Sequence, residues 1–251
     1  MSKNIVEAYK EFNKQLIILI SGLSGSGKTS LSENISRDFK LKLIDTKQFY
    51  KKDFDEKITL SNGVEVVNYD SDDAFDWEQM NKEVNKYKEE GIVVIGHLFP
   101  TNKLQFNADY HVHLKITKQE LRKNRMEFIE KHPEKKFNIE TESLRINALT
   151  YPYYLETLKK MKMDKYLDVS EMDDDVVYDI VFDDIIKFIK SAVYSSKYTP
   201  TKNTKQNKKS KKSFDISDTL TNSSESSESS ESSDISNNSD DDYIITYNEY
   251  D

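Results

Sequence analysis

The run Gly22-Leu23-Ser24-Gly25-Ser26-Gly27-Lys28-Thr29 constrains this chain more than any other feature. It holds three of the six glycines in 251 residues and fits the pattern G-x-x-x-x-G-K-[ST]. An apolar run, Leu16-Ile17-Ile18-Leu19-Ile20, precedes it, and a segment with Leu31, Ile35 and Phe39 on one helical face follows. Strand, glycine-rich turn and helix in that order make an anion cradle. Glycines let successive N–H groups turn inward, and the helix start adds its own unpaired N–H groups and positive dipole end. The pattern predicts that residues 22–29 wrap the phosphates of a nucleoside triphosphate. Lys28 then reaches the β and γ phosphates, and the Thr29 hydroxyl holds Mg²⁺.

Charge is unevenly spread. The net charge is −8. From Ser195 onward seven lysines are followed by eleven acids, 7 − 11 = −4, which leaves −4 for residues 1–194. Neither part is basic enough to make nucleic acid the main ligand. With no cysteine there are no disulfides or thiolate metal sites. No apolar run approaches the 18 residues of a membrane span, and Met1–Lys14 lacks the apolar core of a signal peptide. A cytoplasmic protein is the expectation.

Periodicity predicts the following elements. Residues 1–13 form an amphipathic helix with Ile5, Tyr9 and Phe12 on one face, within an N-terminal unit of residues 1–14. Gln15–Ser21 is a buried strand, the helix after the loop ends near Phe39, and Lys42–Asp45 is a short strand ending on a carboxylate. Asn62-Gly63 turns a hairpin inside Ile58–Val67. Asp76–Glu90 is a helix, Ile92–Ile95 and Asp109–Ile116 are strands, and Thr117-Lys118-Gln119-Glu120 opens a charged helix with a capping box. Residues 140–161 are one or two helices broken near Pro152, Lys165–Val169 is a strand, and Asp174–Val193 a closing helix. Strands alternating with helices imply an α/β domain over 15–194, a P-loop NTPase-type parallel sheet covered on both faces. Residues 195–242, Lys-rich and then acidic and Ser-rich, cannot bury enough surface to order and are expected to be disordered. Residues 243–251 form a short tail that regains apolar character.

A phosphate loop alone does not select a reaction. No N-K-x-D or D-x-x-G motif of GTPases occurs, nor a transporter-type L-S-G-G-Q signature. The chain resembles the uridine kinase and nicotinamide riboside kinase branch of P-loop nucleoside kinases. The likeness runs through Ile20–Thr29, Phe49-Tyr50-Lys51, the stretch Asn68–Trp77, Gly96-His97-Leu98-Phe99, Leu121–Arg125 and Tyr151-Pro152-Tyr153-Tyr154. It implies ATP-dependent phosphoryl transfer to a small hydroxyl-bearing metabolite, a nucleoside, with ATP and Mg²⁺ as cofactors. It implies substrate contacts by Tyr50, Asp70 and His97, and a lid in which Arg122 and Arg125 close over the triphosphate.

Two positions depart from the family. Its catalytic aspartate aligns with Lys47, and its strand-end glutamate with Ile95. Asp45, two residues away, either substitutes as the group orienting the acceptor hydroxyl or merely caps its strand end. Asp70 and the two arginines likewise have ordinary readings, as a turn residue and a solvated helix face. His111 and His113, alternating on one strand, read as structural. Trp77, Tyr69 and Phe75 are either a stacking surface for a base or core. Two functions therefore stand: a nucleoside kinase, or a catalytically impaired nucleotide-binding pseudokinase acting as a scaffold, with the acidic tail recruiting a protein partner.

Overall fold

Continuous apolar runs alternate with amphipathic helices along the chain, and they assemble as parallel strands do when both faces are covered. The computed structural model describes residues 4–135 and 137–197. In chain order these form α1 (Ile5–Asn13), β1 (Ile17–Gly22), α2 (Lys28–Phe39), β2 (Lys42–Asp45), β3 (Lys57–Thr59), β4 (Glu65–Val67) and α3 (Trp77–Tyr87). There follow β5 (Ile92–Gly96), β6 (Tyr110–Lys115), α4 (Lys118–Lys131), α5 (Ile139–Arg145), α6 (Tyr151–Leu158), β7 (Lys165–Asp168) and α7 (Asp174–Lys197). Residues 1–3 of the expected N-terminal helix, residues 198–242 of the low-complexity segment and the tail 243–251 lie outside the described residues.

The main sheet has the order β2-β5-β1-β6-β7. Every neighbouring pair is parallel. The fold is the expected α/β architecture. β1 lies at the centre, and the chain leaves it for the β2 edge and returns later to β6 on its other side. Ligands of open α/β sheets bind at such a reversal, beyond the carboxyl ends of the strands. The loop Gly22–Gly27 begins there.

β1 is buried along its whole length, and its alternation feeds two cores. Ile18 and Ile20 pack with Leu31, Ile35 and Phe39 of α2 and with Val181, Ile185 and Ile189 of α7. Ile17 and Leu19 point the other way, onto Ile44, Phe49, Met80 and Val84. Each such side chain contributes about 1.5–3 kcal/mol by leaving water, so the strand that carries the loop is anchored from both sides.

Two expectations are corrected. On α1 the buried positions are Val6 and Tyr9, while Phe12 is 62% exposed. The Tyr9 hydroxyl donates to Asp109 at 2.9 Å, which rotates the helix so that residues 6 and 9 face the sheet. Residues 139–158 are not broken at Pro152. The chain passes from α5 through a π-helical turn, Ile146–Thr150, directly into α6. Pro152, which has no N–H to donate to the preceding turn, sits at the junction where the π turn gives way to α6. Elsewhere local signals are realised as read: Thr117 and Glu120 exchange both capping-box bonds, and Gly63 turns the β3–β4 hairpin at φ 83°.

Candidate active site

The loop between β1 and α2 takes up the backbone of an anion cradle. Gly25 and Gly27 adopt φ of 74° and 76°, values that side-chain-bearing residues enter at a cost of about 1–2 kcal/mol. Ser26 N donates to Leu23 O at 3.2 Å, closing the turn. Ser26 Oγ is buried and finds no hydrogen-bond partner among the described residues. Lys28 is 3% exposed, and its ammonium reaches back along the loop to donate to Leu23 O at 3.2 Å. A buried, charged lysine and an orphaned hydroxyl beside glycines at positive φ are what a triphosphate would satisfy. Thr29 is half-buried in the first turn of α2. Among the described residues no group of three or more His, Cys, Asp or Glu could hold a metal. A Mg²⁺ ion at Thr29 would therefore take its other ligands from phosphate oxygens and water, as this ion commonly does.

A polar cavity of about 220 Å³ opens beside the loop, lined by Gly25, Ser26, Gly27, Asn34, Asn124 and Asp174 among others. Asn124 of α4 donates from Nδ2 to Gly25 O at 2.9 Å. Asp174 Oδ1, at the start of α7, lies 3.2 Å from where a Cβ on Gly27 would stand. α4 thus meets the loop through Asn124. Arg122 Nη2 donates to Asn147 Oδ1 of the π turn, and its Nε is buried without a partner among the described residues. Arg125 departs from the expected lid role. Its Nε donates to Glu142 Oε2 at 3.0 Å with both side chains about nine-tenths buried, and its guanidinium stacks over Phe137. It faces α5, one helical position round from the cavity.

A second, narrow cavity of about 20 Å³ lies beyond the carboxyl ends of β2 and β5. Thr46, Tyr50, Phe75, Trp77, His97 and Tyr153 line it. Phe75 and Trp77 pack at 4.5 Å, and Tyr50 meets Phe75 edge-on at 5.2 Å. Beside it, Asp70 Oδ2 accepts from Thr150 Oγ1 at 2.8 Å and from Arg145 Nη2 at 3.3 Å. Tyr153 OH donates to Asp72 at 2.9 Å. The connector 139–158 therefore grips both α4 and the loop carrying Asp70.

Asp45 does not turn into this cavity. Its Oδ1 accepts from Lys47 N at 2.9 Å, capping the 3₁₀ turn that follows β2, and its Oδ2 lies 3.9 Å from the Lys47 ammonium. Ile95 pairs with Asp45 and Ile20 in the sheet and is buried. His97 follows β5, and its carbonyl accepts from Gly22 N at 3.1 Å, so it stands beside the first residue of the loop. Its ring lies parallel to Tyr154 at 6.3 Å. Burial pulls its pKa down to about 4; Asp70 opposes this, while Lys28 and Arg145 reinforce it.

Under the loop runs a buried polar chain that sequence reading treated only as two structural histidines. His111 Nδ1 bonds Lys162 O at 2.8 Å, which fixes the proton on that nitrogen and leaves Nε2 to accept from Ser21 Oγ at 2.8 Å. Ser21 Oγ must then accept from His113 Nδ1, also at 2.8 Å, and His113 Nε2 from Tyr154 OH at 3.0 Å. Every member is satisfied only when both imidazoles are neutral. Burial accordingly lowers His111 to about 4 and His113 to about 3.

Residues 17–105 match the model of the phosphoribulokinase / uridine kinase family. The matched stretch runs from β1 through the phosphate loop to the segment after β5. The resemblance read from the sequence is borne out at that level. A search of the curated proteins returns no significant match. Among solved structures, the chain is similar to a gluconokinase from Sinorhizobium meliloti at 13% identity and a TM-score of 0.47, covering 72% of this chain and 98% of that one. A sugar kinase from Janibacter sp. matches at 13% identity and 0.42, covering 74% and 96%. An uncharacterized protein from Eubacterium ventriosum matches at 15% and 0.41, covering 70% and 99%.

Asn124 and Asp174 line the first cavity and Arg145 and Thr150 hold Asp70, and sequence reading singled out none of these four on its own. Asn124 and Asp174 lay inside elements it had placed. Arg145 and Thr150 meet Asp70 across 75 and 80 residues, and no local pattern announces such a pair.

Proposed function

We propose that this chain is an ATP-dependent kinase that phosphorylates a hydroxyl of a nucleoside. The observation that carries the reading is a phosphate cradle with a buried lysine beside an aromatic-walled cavity flanked by Asp70 and Arg145. In this reading Gly22, Leu23, Ser24, Gly25, Ser26, Gly27, Lys28 and Thr29 hold the triphosphate. Lys28 neutralises charge on the transferred group, and Asp70, oriented by Arg145 and Thr150, accepts hydrogen bonds from sugar hydroxyls. Arg122, whose Nε is unsatisfied, is the lid cation nearest in role to the expectation. Tyr50, Trp77 and Tyr153 shape the acceptor cavity. A bound Mg²⁺ supplies neutralisation of the β and γ phosphates. Phosphoryl transfer needs chiefly such positioning and charge, which fits a site whose polar groups are fixed by buried partners. The protein works in the cytoplasm on small molecules.

Purified protein incubated with γ-labelled ATP, Mg²⁺ and uridine, cytidine, adenosine and guanosine tests this. Label transfer to at least one nucleoside is expected, and none at high enzyme concentration removes the reading. A second reading, a nucleotide-binding pseudokinase serving as a scaffold through its acidic segment, is favoured by one observation. Lys47 and Ile95 stand where carboxylates are expected, and Asp45 is spent on capping.

A further inference from the structure

We infer that His97 is the general base that takes the proton of the acceptor hydroxyl. The inference rests on the kinase reading above. Among the described residues lining the acceptor cavity there is no carboxylate. Asp45 beside it is turned onto its own loop and Lys47, and Asp70 is held by Arg145 and Thr150. Of the other polar lining groups, the Tyr153 phenol is kept protonated by burial and by Asp72. His97 is thus the one imidazole in the cavity, fixed by its backbone bond to Gly22 and by stacking on Tyr154.

Its surroundings suit a proton acceptor. Burial above all keeps the ring neutral, with Lys28 and Arg145 reinforcing it, while Asp70 favours the imidazolium once formed; His113 lies behind it. An incoming triphosphate brings negative charge beside Lys28 and raises the basicity of the ring toward neutrality, where a general base is most effective. As transfer proceeds, the acceptor O–H bond breaks and its proton passes to His97. The oxygen bonds the γ phosphorus, and the bond to the β-phosphate oxygen breaks, ADP leaving with that electron pair. The imidazolium then returns its proton to solvent.

The test uses the intact chain, Mg·ATP and the nucleoside of the four-member panel that gives the highest rate. His97→Ala should lower kcat about 10²–10⁴-fold while KM for that nucleoside stays within threefold. Calorimetric affinity for Mg·AMPPNP should be unchanged, which also reports correct folding; His97→Gln, which keeps the ring's volume, gives the same split. Added imidazole should restore His97→Ala at least tenfold. If wild-type protein transfers phosphate and either variant keeps its kcat, or if imidazole restores nothing, the inference falls and the kinase reading stands. If wild-type protein transfers to none of the four, both fall together.

Discussion

Lowering the pH from 7 to 5 should destabilise the protein severely, because three neutral imidazoles are buried in or beside the sheet. His97, His111 and His113 have pKa values lowered by burial to about 4, about 4 and about 3. In the unfolded chain each returns to about 6.5. Between these values the unfolded state binds protons that the folded state refuses, so stability rises with pH across the window and is lost as pH falls through it. At pH 5 each unfolded imidazole is almost fully protonated and each folded one almost fully neutral. That gap is worth about 2 kcal/mol per histidine relative to pH 7, or roughly 5–6 kcal/mol for three. A domain of this size has about 5–15 kcal/mol in total. Protonating His111 at Nε2 would also leave the Ser21 hydroxyl proton without its acceptor, and protonating His113 at Nε2 would set a donor against the Tyr154 hydroxyl that donates to it. Urea titrations at pH 7, 6 and 5 measure this through the midpoint at constant slope. The surface carboxylate with a strongly lowered pKa, Asp168 at about 2, titrates below the window and does not confuse the reading. A loss smaller than about 1 kcal/mol between pH 7 and 5 would refute the assignment of neutral, interlocked imidazoles.

Other outcomes follow from single contacts. Glu142→Ala strands the buried Arg125 guanidinium and should cost about 3–5 kcal/mol by denaturant titration, whereas an Arg125→Met, Glu142→Leu double change should cost much less. Gly25→Ala combines a φ of 74° with a Cβ only 2.7 Å from Asn124 Cβ, so the lid helix must shift; calorimetric affinity for Mg·ATP should fall at least tenfold with little change in melting temperature. Asp45→Asn keeps an acceptor for Lys47 N and should leave turnover within threefold, since the carboxylate serves its own turn.

What could be read in advance was whatever short-range chemistry dictates. The apolar runs of β1, β5 and β6 announce strands buried on both faces, Thr117 and Glu120 announce a helix start, and Asn62-Gly63 a hairpin. The phosphate loop is legible because its parts are contiguous: the backbone that binds an anion is set by glycines two residues apart. The acceptor side is not contiguous. Asp70 depends on Arg145 and Thr150, Arg122 on Asn147, and Tyr153 on Asp72, each pairing closed by tertiary packing. Composition and periodicity carry no trace of such partners. The role of Arg125 went astray for the same reason. Spacing placed Arg122 and Arg125 on neighbouring turns of α4, but the buried Glu142 claimed the second. Phe12 misled by type, since an aromatic at helical spacing reads as core until a neighbouring bond, here Tyr9 to Asp109, fixes the helix rotation.

The connector 139–158 gives these scattered pairings a common cause. Glu142, Arg145, Asn147, Thr150, Tyr153 and Tyr154 all lie on this one stretch of helix, and it touches the lid helix, the loop of Asp70, the ring of His97 and the chain beneath the phosphate loop. A regular α-helix repeats every 3.6 residues and would carry residues 142 to 154 round its axis at a steady pitch. The π turn at Ile146–Thr150 adds a residue to that count, which re-aims the side chains beyond it relative to those before it. Within twelve residues Glu142 and Asn147 bond α4, Arg145 and Thr150 bond Asp70, and Tyr153 bonds Asp72. Straightening the segment by removing one residue from the turn would re-register Thr150, Tyr153 and Tyr154 together. The cavity walled by Tyr50, Trp77 and Tyr153 should then lose its order while the phosphate loop, set between β1 and α2 and tied to α4 through Asn124, keeps its affinity for Mg·ATP by calorimetry.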